Sequence, residues 1–91
     1  MGFFWNTKPK VITNEFKKVR NHLWAKGFTR RELDEIEQIF RADLDESQST
    51  EQGISKEEIE KGIQWMKQHV NVHKIPEYKI AILEQALKEK L

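Results

Sequence analysis

Apolar residues recur at helical spacing in four separate stretches of this 91-residue chain, and that periodicity constrains the fold more than any other feature. The first series is Ile12, Phe16, Val19 and Leu23, and the second is Leu33, Ile36 and Phe40. The third is Ile59, Ile63, Met66 and Val70, and the fourth is Ile80, Leu83, Leu87 and Leu91. At about 100° per residue, each series falls within one stripe on a helix face. No segment alternates as a half-buried strand would. The expected fold class is therefore all-α, a four-helix domain built from two helical hairpins.

Two helix starts repeat one pattern. Gly27-Phe28-Thr29-Arg30-Arg31-Glu32-Leu33 and Gly53-Ile54-Ser55-Lys56-Glu57-Glu58-Ile59 both read Gly, apolar, hydroxyl, basic, any, Glu, apolar. In each, the hydroxyl can accept from a free backbone N–H of the first turn while Glu32 or Glu58 reaches back, forming a capping box. Phe28 and Ile54 are placed to staple onto Leu33 and Ile59. The pattern predicts helices starting near Arg30 and Lys56. Gly27 is expected to end the first helix in a left-handed conformation, and Pro76 suits the first turn of the fourth helix.

Length and composition fit one small domain. Ninety-one residues can enclose one core but not two, and 37% hydrophobic with 34% charged residues is a folded, water-facing composition. The whole chain, 1–91, is read as one helical domain, with an apolar and basic N-terminal arm over 1–11 and an inter-hairpin loop over 42–54. The absence of cysteine excludes disulfides, thiolate metal sites and cysteine nucleophiles. MGFFW is too short for a signal-peptide core or a membrane span, and Asn6 stands where a myristoylation motif wants Ser or Thr. A cytoplasmic protein is expected.

The net charge of +1 conceals segregation. Residues 1–31 carry eight Lys and Arg against Glu15, residues 32–60 carry eleven acids against Arg41 and Lys56, and residues 61–91 carry six Lys against three Glu. A basic first third can attract nucleic acid, anionic lipid or an acidic protein, or can neutralise the acidic middle of its own fold.

The acidic middle resembles the EF-hand superfamily. Leu33, Ile36, Ile39 and Phe40, followed by acids and then by Gly53-Ile54-Ser55-Lys56-Glu57-Glu58-Ile59, are similar to an incoming helix, a loop and an exiting helix over about 35 residues. The resemblance implies calcium, held by oxygen ligands at alternate positions of a loop of about 12 residues ending in a bidentate Glu. Counting from Phe40 puts Arg41, Asp43 and Asp45 at the first, third and fifth ligand positions. Counting back from Ile54 and Glu58 puts Ser47, Ser49 and Glu51 there, with Gln52 at the usual glycine position. The candidate ligands are thus Asp43, Asp45, Ser47, Glu51 and Glu58, in a stretch of 18 residues from Arg41 to Glu58. The competing reading makes the stretch a solvated linker, with Glu58 a capping residue and Gly53 a turn residue.

Catalytic signals are thin. His69 and His73 are four residues apart and His22 is distant, a pattern expected of ordinary surface histidines rather than a zinc site. There is no glycine-rich phosphate loop, HExxH, or nucleophile and base at a familiar spacing. A non-enzyme is expected.

Apolar residues outside the core stripes are more informative. Tyr78, Ile82 and Ala86 lie opposite Ile80, Leu83 and Leu87; Trp65 sits beside Gly62 and His69; Trp24 flanks the first stripe near Arg20. A helix apolar on two faces is buried twice or meets a partner. Either MGFFW folds over one of these faces, or Trp24, Trp65, Tyr78 and Ile82 bind a protein partner or a second copy. The sequence reading is thus a non-catalytic protein-interaction module modulated by a cation, with a calcium-binding protein as the alternative. The second alternative is a nucleic-acid backbone binder using Lys17, Lys18, Arg20, Arg30 and Arg31. In that reading the acids of Lys56-Glu57-Glu58-Ile59-Glu60 disqualify the third helix as a recognition helix.

Overall fold

The computed structural model describes residues 10–44 and 53–91. Its elements are β1 Lys10–Val11, α1 Thr13–Ala25, α2 Arg30–Ile39, α3 Arg41–Leu44, β2 Ile54–Ser55, α4 Lys56–Gln68, α5 Val70–His73 and α6 Glu77–Lys88. The all-α class holds. Helices α1, α2, α4 and α6 have 10 to 13 residues, whereas α3 and α5 are single turns of four.

Local chemistry sets the helix ends. Both capping boxes form: the Thr29 hydroxyl accepts from the Glu32 amide at 3.1 Å while the Thr29 amide donates to Glu32 Oε1 at 2.8 Å. Ser55 and Glu58 repeat this at 3.3 and 2.8 Å. Helices α2 and α4 accordingly start at Arg30 and Lys56. At the end of α1, Gly27 adopts φ +96°, its amide donates to Trp24 O, and the Phe28 amide donates to Leu23 O. Those two bonds are a Schellman motif, and they turn Phe28 into the core, where it is 3% exposed. Pro76 stands at the N-cap of α6, one residue outside the helix.

The two-stranded sheet departs from the sequence reading. Lys10 lies opposite Ser55 and Val11 opposite Ile54, antiparallel, and Val11 and Ile54 are both fully buried. Strands of two residues are too short to show alternation. Ile12, expected in the first core stripe, is instead exposed, because the extended backbone turns Val11 inward and Ile12 outward. The expected arm over 1–11 therefore ends in a strand, and residues 1–9, including MGFFW, lie outside the described residues. The expected loop over 42–54 contains the end of α3 and the start of β2. Gly53 closes it: its amide donates to Asp43 O at 2.8 Å with φ +106°, and an added Cβ would stand 2.9 Å from Lys10 Cβ. Only glycine suits that backbone.

One core joins these elements. Helix α6 packs on both α1 and α4, with Ile80, Leu83 and Leu87 fully buried. Contact with two helices widens its apolar stripe, so Ala86 is buried and Ile82 is half-buried against the core. The expected second, outward face of this helix is reduced to Tyr78. Leu91, expected in the stripe, is exposed, and Val70 belongs to α5 rather than to α4.

His73, expected at the surface, is fully buried. Its Nε2 lies 2.7 Å from Met66 O, and its Nδ1 lies 3.0 Å from the Ile75 amide. A carbonyl only accepts and an amide N–H only donates, so the imidazole is the neutral form with the proton on Nε2. Arg31 in turn donates to His73 O at 2.9 Å and Lys74 O at 3.5 Å. These bonds fasten the start of α2 to the connection between α5 and α6.

An ion pair reinforces the same junction. Lys79 Nζ is 2.8 Å from Glu32 Oε1, with both side chains largely buried, and it also donates to Gly27 O at 3.3 Å. Burial alone would raise the Glu32 carboxyl, but Lys79 and the Thr29 amide and hydroxyl hold it below its ordinary value. A carboxylate depressed in this way stabilises the fold above its ordinary titration range, and that contribution is lost as pH falls through the depressed value. Replacing Lys79 by Ala strands a largely buried carboxylate. The expected cost is about 2 kcal/mol at neutral pH, less than for a fully buried pair because the lysine retains some exposure. Urea unfolding of Lys79→Ala and of the unmodified chain should show that deficit shrinking as the solution is acidified through the glutamate range.

Candidate functional site

The second capping box opens onto a groove between α2 and α4. Its volume is about 690 Å³, with Ile39, Phe40, Gly62 and Trp65 contributing apolar surface. Glu35, Asp43 and Glu58 supply carboxylates, and Gln38 and Lys61 complete the lining. Helix geometry explains the selection. On α2, Glu35, Gln38 and Ile39 are spaced i, i+3, i+4, and on α4, Glu58, Lys61, Gly62 and Trp65 are spaced i, i+3, i+4, i+7.

Phe40 and Gly62 bring the two walls together. An added Cβ on Gly62 would stand 2.5 Å from two atoms of the Phe40 ring, so the absent side chain is the space the ring fills. Trp65 is 40% exposed and stacks on His69, with ring centroids 4.4 Å apart and planes 15° apart. The His69 Nδ1 is 2.8 Å from Trp65 O, one turn back. The indole is thereby held at the groove with a large part of its surface open.

The acidic side is shaped by Glu58. Burial would raise its carboxyl, but a hydrogen bond shared with Asp43, the Ser55 amide and hydroxyl, and the charge of Lys10 together lower it. Glu35 has no ion-pair or hydrogen-bond partner among the described residues.

Of the sequence-derived metal residues, Asp43 and Glu58 are brought together, while Asp45, Ser47 and Glu51 lie outside the described residues. No group of three His, Asp or Glu placed to hold a metal occurs among the described residues. His73 has both ring nitrogens committed to backbone atoms and is unavailable as a zinc partner for His69. Of the partner-binding residues, Trp65 lines the groove; Trp24 and Tyr78 are exposed elsewhere; Ile82 packs against the core. The basic candidates divide. Arg20 pairs with Glu37 at 2.6 Å and Asp34 at 3.1 Å, Arg31 binds the carbonyls after α5, and Lys18 lies 3.4 Å from Glu15. Lys17 and Arg30 remain exposed. Sequence reasoning placed Trp65 beside Gly62 but missed Glu35, Gln38 and Lys61, whose helical spacing to Ile39 and Glu58 was the available signal.

No family model, curated protein or solved structure matches the chain. No helix among the described residues is long and apolar enough to cross a membrane.

Replacing Gly62 by Ala should force the Phe40 ring off α4. Overpacking of about 1–3 kcal/mol is offset by the better helix propensity of Ala, roughly 1 kcal/mol, leaving a net loss of up to about 2 kcal/mol. Amide spectra of the variant should show shifts concentrated at Ile39, Phe40 and Trp65, and a spectrum unchanged there would contradict this packing.

Proposed function

We propose that the protein is a non-catalytic protein-interaction module that docks its partner in the groove between α2 and α4. The observation that carries the reading is Trp65, held by His69 at the wall of a groove of about 690 Å³ while 40% exposed. Exposed aromatic side chains held in one orientation are the typical anchors of protein interfaces, because little side-chain entropy is lost when they are covered. Glu58 titrates below the ordinary glutamate range, which suits a fixed charge better than a proton carrier near neutrality. Immobilised full-length protein should retain a partner that Trp65→Ala loses and Trp24→Ala keeps. Equal retention by both variants, or none by the unmodified chain, removes the groove from the reading.

A second reading has calcium entering the stretch between α3 and β2, as the likeness to the EF-hand superfamily implies. It is favoured by the contact between Asp43 and Glu58 and by the Gly53 to Asp43 bond that draws the two ends of the stretch together. Calorimetric titration with calcium should then give heat, with amide shifts at Asp43 and Glu58. A flat titration at millimolar metal ends this reading. Nucleic-acid binding through α1 ranks behind both, because Arg20 and Arg31 already serve partners within the chain.

A further inference from the structure

We propose that the α2–α4 groove is held by the chain's own aromatic segment, Phe3-Phe4-Trp5, which covers Trp65 until a partner displaces it. Displacement by a partner rests on the docking reading above, whereas occupation of the groove stands apart from it. The described chain begins at Lys10, and the strand pair sets the line on which the preceding residues arrive. Lys10 lies opposite Ser55 and Val11 opposite Ile54, antiparallel, so the chain traced back from Val11 through Lys10 runs the same way as β2 does into α4. Lys10 also stands at the rim of the groove, because its charge acts on Glu58, which is in the first turn of α4 and lines that groove. From Glu58 to Trp65 is seven residues of α4, about 10 Å along the helix axis. Trp5 precedes Lys10 by five residues, which span about 17 Å when extended, and Phe3 precedes it by seven, about 24 Å. The segment is therefore long enough to lay aromatic rings against Ile39, Phe40 and Trp65. Pro9 favours extended backbone at Lys8, which preserves the direction set by the strand pair, and in an extended segment Phe3 and Trp5 project to the same side. Rings of this kind remove about 150–250 Å² each from water, and covering the open part of Trp65 adds to that burial. A short tether also gives the segment an effective concentration on the order of millimolar, so a contact too weak to hold a free peptide fills the groove within one chain.

The test uses the full-length chain, isotopically labelled, and a full-length variant carrying Phe3→Ala, Phe4→Ala and Trp5→Ala, which changes none of the described residues. Nuclear Overhauser spectra of the unmodified chain should show contacts from the rings of Phe3 or Trp5 to the Ile39 methyls and the Trp65 indole. The triple variant should lose those contacts and shift the amides of Ile39 and Gly62. A synthetic peptide of residues 1–8, added to the triple variant, should return those amides toward their original positions. At the same concentration it should shift the unmodified chain at least tenfold less, because the tethered copy already fills the groove. Absent ring contacts, with Ile39 and Trp65 unmoved by the triple substitution, overturn the proposal and leave docking of a partner on Trp65 untouched. Equal shifts of both chains by the peptide show an open groove and also overturn it. Contacts between labelled and unlabelled copies in a mixed sample would assign the segment to a second copy and overturn occupation within one chain. If the ring contacts are found but Trp65→Ala retains a partner as fully as the unmodified chain, the docking reading falls while the covered groove stands.

Discussion

The carboxylate of Glu32 is the point on which the arrangement of the helices depends. It accepts the Thr29 amide, which starts α2, and it receives Lys79, which comes from α6 across 47 positions of sequence. Lys79 reaches Gly27 O and lies 5.4 Å from the centroid of the Phe28 ring, so the turn between α1 and α2 is held by the same ammonium. Arg31, the neighbouring residue, binds the carbonyls that end α5. The N-terminal end of α2 is thereby fixed to both halves of the chain. Its other end is fixed by Phe40 against Gly62. A helix held at both ends gives the groove along it a rigid wall, and a preorganised wall loses less entropy when a ligand is bound.

Charge segregation along the sequence becomes charge pairing in the fold. The basic first third and the acidic middle meet where Arg20 of α1 bridges Asp34 and Glu37 of α2. Neutralising its own acidic stretch is thus one task of the basic segment. The pairing is incomplete in one direction, since Glu35 turns away from α1 and lines the groove. Glu35 shares that lining with Asp43, Glu58 and Lys61, so charges of both signs meet in the groove.

What was legible in the sequence was what short segments decide. Both capping boxes, the left-handed Gly27 and the starts at Arg30 and Lys56 depend on residues within a few positions of one another, and such patterns can be read along the chain. What was not legible depends on distant partners. Val11 is in the core and Ile12 outside it because Val11 pairs with Ile54, 43 positions away, and two residues cannot display an alternation. His73 is buried because Met66 and Ile75 offer it one acceptor and one donor after α4 ends, a geometry that the i, i+4 spacing to His69 does not suggest. Ala86 is buried because α6 contacts two helices instead of one. At the groove, Trp65 and Gly62 were visible as neighbours on one helix, whereas Glu35 joined them only through the packing of α2 beside α4.

The two capping boxes show why a motif alone does not settle a role. Thr29 with Glu32 and Ser55 with Glu58 are the same local device, with the same 2.8 Å bond from the capping amide to the glutamate. Their surroundings differ. Glu32 meets an ammonium from within the fold, which leaves it a structural ion pair. Glu58 meets the carboxyl of Asp43 at the edge of an open groove, with the charge of Lys10 also acting on it. A carboxylate has two oxygens and about four acceptor sites, so the bond to Ser55 occupies only part of its capacity. Capping a helix and presenting charge to a ligand are therefore compatible in Glu58. One capping device therefore closes an ion pair inside the fold at Glu32 and borders a groove at Glu58, and the difference comes from what distant elements bring to each glutamate.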